Sequence, residues 1–153
     1  MTKPTNNLKL TIELVPESAF YKNVRALLTK DQWSALSKQV RSAAYDICQI
    51  CNSPKQSLDC HEVWHYNDSK LIQKLTGLVA LCKDCHMVKH FGFAQIKGKG
   101  EQALNHFMKI NKLTRRQALT YIEEAFEIWK LRSKSSWTTD VSFLENYSIF
   151  KKE

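Results

Sequence analysis

Near the start of the chain apolar and polar side chains alternate, with Leu8, Leu10, Ile12 and Leu14 set against Lys9, Thr11 and Glu13. A period of two predicts a half-buried strand, closed by Pro16. The spacing then lengthens: Trp33, Leu36, Val40 and Ala44 recur at helical intervals behind Thr29-Lys30-Asp31-Gln32. That tetrapeptide has the form of a capping box, in which the threonine accepts from an early backbone N–H. An amphipathic helix over 30–45 is predicted. Residues 47–93 predict short elements: a hairpin-like turn at 48–51, a polar link over 52–57, and extended segments over 58–66 and 78–81. A two-turn helix over 83–91 follows, stopped by Gly92. Beyond the Lys97-Gly98-Lys99-Gly100 hinge, Ala103, Leu104, Phe107, Met108 and Asn111 mark a short helix. A second capping box, Thr114-Arg115-Arg116-Gln117, opens a longer one lined by Ala118, Ile122, Ala125, Phe126 and Trp129. After Ser133 the chain turns Ser/Thr-rich, and a loosely ordered tail is expected. The apolar stripes read as core, and the elements together predict an α+β fold.

Composition narrows the class. With 153 residues, 43% of them hydrophobic, the chain suits one modest domain and is too apolar for intrinsic disorder. The longest apolar run, around 78–82, falls far short of the ~20 residues a membrane helix needs. No signal-peptide pattern follows Met1. A soluble, cytoplasmic protein without a membrane partner is expected.

Chemistry concentrates in one stretch. All five cysteines, Cys48, Cys51, Cys60, Cys82 and Cys85, lie in one quarter of the sequence with four of the five histidines. An odd cysteine count in a reducing compartment argues against a disulfide framework. Cys48-Gln49-Ile50-Cys51 and Cys82-Lys83-Asp84-Cys85 are two Cys-x2-Cys turns, each presenting two thiolates, and together they supply the four ligands of a tetrahedral structural Zn²⁺. Thirty residues separate them, so something is built between, and it contains Cys60, His61 and His65. His86 and His90, spaced i, i+4, lie on one helical face and can share one cation. His65 reads as a partly exposed strand residue, and His106, alone in a helix, as structural or solvent-facing.

The Cys-x2-Cys turn, a strand carrying His61, the apolar Leu78-Val79-Ala80-Leu81 and then Cys82-Lys83-Asp84-Cys85-His86-Met87-Val88-Lys89-His90 resemble the HNH endonuclease family. The resemblance covers about residues 47–92. It implies a ββα-metal (His-Me finger) core with a four-cysteine zinc. It also implies His61 as the general base that activates water, and His86 with His90 as ligands of a catalytic divalent cation (Mg²⁺, Mn²⁺, Ni²⁺ or Zn²⁺). The pattern departs in two places. Cys60 stands where the family usually has Asp or His, so that Asp59 or Cys60 completes the cation's ligands, or Cys60 joins a second zinc site with His86 and His90. Gly77 stands where the family's middle Asn lies, nine residues before His86, with Asn67 of the preceding turn as the candidate replacement.

The +8 net charge divides unevenly: +3 over 1–47, +1 over 48–96 and +4 over 97–153. Basic flanks around a near-neutral site suit backbone-directed contacts to nucleic acid, DNA first. Lys89, Lys97, Lys99, Arg115 and Arg116 are the candidate contacts. The expected organisation is a zinc-stapled core over 47–96, braced by the strand and helix of 1–46 and by a basic helical extension over 97–153, in one compact domain. The expected function is that of a metal-dependent, HNH-like endonuclease of bacterial or phage origin. The alternative is a non-catalytic zinc module that binds nucleic acid or protein on a degenerate HNH scaffold.

Overall fold

A computed structural model describes residues 7–54 and 57–150. Residues 55 and 56 of the polar link, and 1–6 and 151–153 at the ends, lie outside the described residues. The fold is α+β. Strand β1 (Leu58–Asn67) pairs antiparallel with β2 (Ile72–Cys82), and short β3 (Thr138–Asp140) adds parallel to β2, giving the order β1-β2-β3. A bulge between Val63 and Trp64 shifts the register of the first pair, setting Val63 opposite Gly77 and Trp64 opposite Leu75.

Among the described residues there are six α-helices: α1 (Val24–Leu27), α2 (Lys30–Ala43), α3 (Lys83–Lys89), α4 (Phe91–Ile96), α5 (Gly100–Asn111) and α6 (Arg115–Arg132). Both capping boxes form, with Thr29 accepting from Gln32 N–H and Thr114 from Gln117 N–H while each glutamine reaches back. Leu36, Val40, Leu75, Leu81, Val88, Phe91 and Phe107 are buried together in one core. Among the described residues no helix is long and apolar enough to cross a membrane.

Three expectations are corrected. The alternating segment at 8–14 buries Leu10 and Ile12 but belongs to no sheet. Side chains stand in for the missing neighbour strand: Leu10 N–H donates to Asn111 Oδ1 (3.0 Å), Asn111 Nδ2 donates to Leu10 C=O (2.8 Å), and Ile12 N–H donates to Tyr121 Oη (3.3 Å). Glu13 N–H donates to the Lys89 carbonyl at 3.1 Å. Gly92 does not end the helix after the second cysteine turn. The break comes two residues earlier at His90 (φ −101°, ψ 54°), and Gly92 lies inside α4, facing Phe126 and Leu14. The Ser/Thr-rich segment over 133–150 is ordered, because Trp137 is buried, donates from Nε1 to the Arg132 carbonyl (2.8 Å) and meets the Tyr66 ring edge-on at 5.4 Å. That anchor sets Thr138–Asp140 beside β2.

Candidate metal centres

The hairpin delivers both cysteine turns to one place. Cys48 and Cys51 lie in a turn that docks on β2 through Gln49, whose N–H donates to the Ala80 carbonyl (3.0 Å) and whose Oε1 accepts from Ala80 N–H (2.8 Å). Asn52 follows with φ +61°, a left-handed conformation its short polar side chain tolerates, and its N–H closes the turn onto the Cys48 carbonyl. Two residues beyond Ala80, Cys82 ends β2 and caps α3, where its sulfur accepts from Cys85 N–H (3.4 Å).

The four Sγ atoms of Cys48, Cys51, Cys82 and Cys85 lie within 4.8 Å of one another. Cys51 Sγ and Cys82 Sγ stand 3.7 Å apart, far beyond a disulfide bond. A tetrahedron with Zn–S bonds of about 2.3 Å has edges of about 3.8 Å, so this spacing fits a metal and not a covalent bridge. Burial opposes ionisation of Cys48, but backbone N–H groups of Cys51, Cys82 and Ile50 outweigh it and bring that thiol down to about 7. Burial pushes Cys82 up to about 11 and raises Cys85, where the neighbouring thiols add to the effect. Only a cation among them makes four close thiolates favourable. From α5, His106 Nε2 approaches Cys85 Sγ at 3.3 Å, a contact that an isolated helical histidine does not announce in the sequence.

A second cluster draws on β1, α3 and the C-cap of α3. One ring nitrogen from each of His61, His86 and His90 falls within 4.8 Å of the others. His86 Nε2 and His90 Nε2 are 3.1 Å apart, and the His61 ring lies 5.3 Å and 5.2 Å from theirs, centroid to centroid. The break at His90 matters here, since it turns that imidazole back over the helix that carries His86. Burial lowers His86 against the hydrogen bond to Asp59, and burial with the charges of His86 and His61 presses His90 down to about 4. Both rings are therefore neutral at pH 7 and offer lone pairs, as metal ligation requires.

Two carboxylates stand behind the histidines. Asp59 Oδ2 accepts from His86 Nδ1 at 2.8 Å and Oδ1 accepts from Lys83. Burial works against the Asp59 charge, but these partners hold the group below the ordinary carboxylate range. An ionised carboxylate has no proton to give, so His86 Nδ1 carries the hydrogen and Nε2 is bare. Glu13 does the same for His61. Its Oε2 accepts from His61 Nε2 at 2.7 Å, and Oε1 accepts from Lys89 Nζ at 2.8 Å.

The expected ligand sets are corrected accordingly. Asp59 orients His86 and does not join the cluster. Cys60 points to the opposite face of β1 from His61, as strand neighbours must, and is buried in the apolar core with its thiol pushed up to about 12. Gly77 faces Val63, and Asn67 is spent on its turn, accepting from Ser69 Oγ and Lys70 N–H. Lys89 is buried, donating to Thr11 Oγ1 and Glu13, and is not a surface contact for nucleic acid. Arg115 is paired with Glu101, Lys97 lies over the Phe93 ring at 5.3 Å, and Lys99 and Arg116 are exposed. His65 is exposed on β1. Two surface grooves, one lined by Glu17, Trp129 and Lys134 and the other by Leu75, Phe143 and Asn146, do not include the clustered histidines.

No family model matches the chain. No solved structure matches it. Among curated proteins it is similar to Zorya protein ZorE of Escherichia coli, 31% identical over 108 residues. The alignment covers 69% of this chain and 28% of ZorE, so the chain spans less than a third of that relative's length.

Proposed function

We propose that the protein is a metal-dependent endonuclease that hydrolyses phosphodiester bonds in nucleic acid, DNA first, with Cys48, Cys51, Cys82 and Cys85 on a structural Zn²⁺. One observation carries the reading. Three histidines converge on one point, and two of them have one nitrogen committed to a half-buried carboxylate. His86 and His90 would hold the catalytic divalent cation. When bound, such a cation supplies positive charge that polarises the scissile phosphate and stabilises the leaving oxygen. His61 takes the proton of the attacking water as general base. Asp59 fixes the tautomer of His86. Lys97, Lys99 and Arg116 meet the backbone on the flank. The likeness to Zorya protein ZorE suggests a Zorya-like setting.

A non-catalytic nucleic-acid or protein-binding module is the second reading, and Gly77 favours it, because it offers no donor where the resembled family places Asn. Plasmid cleavage separates the two. Zinc-loaded protein is expected to nick or cut plasmid DNA with added Mg²⁺, Mn²⁺ or Ni²⁺, and His61→Ala to lose at least ~10²-fold in rate. Cutting that survives His61→Ala removes the assigned base. Salt-sensitive binding with no cutting under any cation establishes the module instead.

A further inference from the structure

The segment at 8–14 contributes no strand, yet it brings one charged side chain into the histidine cluster from 48 residues away in sequence. Glu13 is bonded on both oxygens: Oε2 to His61 Nε2 at 2.7 Å, Oε1 to Lys89 Nζ at 2.8 Å. Lys89 is itself buried, and a second hydrogen bond to Thr11 Oγ1 at 2.7 Å ties it to the same segment. A buried ammonium is tolerated only with a partner, so Lys89 holds the Glu13 carboxylate in place and keeps it charged. The backbone adds a third tie, from Glu13 N–H to the Lys89 carbonyl. Both oxygens of this carboxylate and its backbone N–H are thus engaged.

We propose that Glu13 is a positioning residue: its carboxylate accepts from His61 Nε2–H and thereby holds the imidazole in the tautomer whose bare Nδ1 receives the proton of the attacking water. This rests on the nuclease reading only for the identity of the proton. The physical cause is the acceptor-only character of an ionised carboxylate, which forbids a lone pair on the nitrogen facing it. A neutral imidazole without that constraint divides its hydrogen between both nitrogens, and part of the population is then unable to act as base. Lys89 and Thr11 act one step further out, through Glu13.

The test uses the zinc-loaded full chain and two readouts. Glu13→Gln removes the charge but leaves Lys89 buried without a counter-ion. The double variant Glu13→Gln/Lys89→Met therefore restores neutrality and keeps the fold within reach. Ring ¹⁵N resonances of His61 are expected to report the Nε2–H tautomer in the wild type and a mixture in the double variant. In plasmid cleavage kcat is expected to fall roughly 10- to 100-fold with KM for DNA unchanged, and Glu13→Asp to recover part of the loss. A double variant that is folded, keeps the single tautomer and cuts within threefold of the wild type overturns the proposal. A wild type that never cuts, but whose His61 tautomer is lost with Glu13, keeps the positioning role and removes the nuclease reading. A tautomer indifferent to Glu13 overturns positioning whatever the cleavage assay gives.

Discussion

Cys60 and His61 are adjacent on one strand and share almost nothing chemically. His61 faces two other imidazoles and a carboxylate, whereas Cys60 faces the core. Burial, with the Glu62 charge adding to it, sends the Cys60 thiol up to about 12. At pH 7 a thiol of that kind is ionised in roughly one molecule in 10⁵, so its nucleophilicity is negligible. The four clustered cysteines are protected by a different cause, coordination, and chelation removes it. Iodoacetamide followed by intact-mass analysis is expected to leave the native zinc-loaded chain unmodified. Cys48, Cys51, Cys82 and Cys85 should label after chelation, and all five cysteines in denaturant. Rapid native labelling of Cys60 would contradict its burial.

At the scale of elements, the parts held by local bonds are the ones legible in the amino-acid order. Capping boxes at Thr29 and Thr114 bridge three residues, and each Cys-x2-Cys turn is equally short, so both can be read without knowing the fold. The alternation at 8–14 signals the burial of Leu10 and Ile12, while Leu8 and Leu14 are only half-buried, like Thr11 and Glu13. It says nothing of the partner, because Asn111 and Tyr121, about a hundred residues on, supply the hydrogen bonds that a strand would. Glu13 is illegible for the same reason, since a glutamate in an alternating segment looks like any solvated polar position. Strand β3 has three residues and depends on Trp137, whose burial against Tyr66 only the folded chain creates. Trp137→Ala is therefore expected to lose about 3–5 kcal/mol in denaturant unfolding. A loss below ~1 kcal/mol would mean that β3 hangs on its ladder alone.

For the whole molecule, the +8 charge is a poorer guide to nucleic-acid contact than its distribution after folding. Lys89 is spent inside on Glu13, Arg115 on Glu101, and Arg132 on Asp68 across to the turn between β1 and β2. Each of these pairs neutralises a cation that a count by sequence assigns to a binding face. Lys97, Lys99 and Arg116 are exposed on the segments that frame α5. If this flank meets phosphate, each cation lost removes about 0.9 from the slope of log affinity against log salt. Lys97→Ala/Lys99→Ala is accordingly expected to flatten that slope by about 2 while leaving the unfolding midpoint in place. Lys89→Ala is expected to do the reverse, lowering the midpoint by stranding Glu13 and leaving the slope unaltered among molecules still folded. Fluorescence anisotropy with a labelled duplex at several salt concentrations, run beside thermal unfolding, reads both. An unchanged slope in the Lys97/Lys99 variant would move the interface off this flank. The charge of 1–47 would then be the remaining place to look.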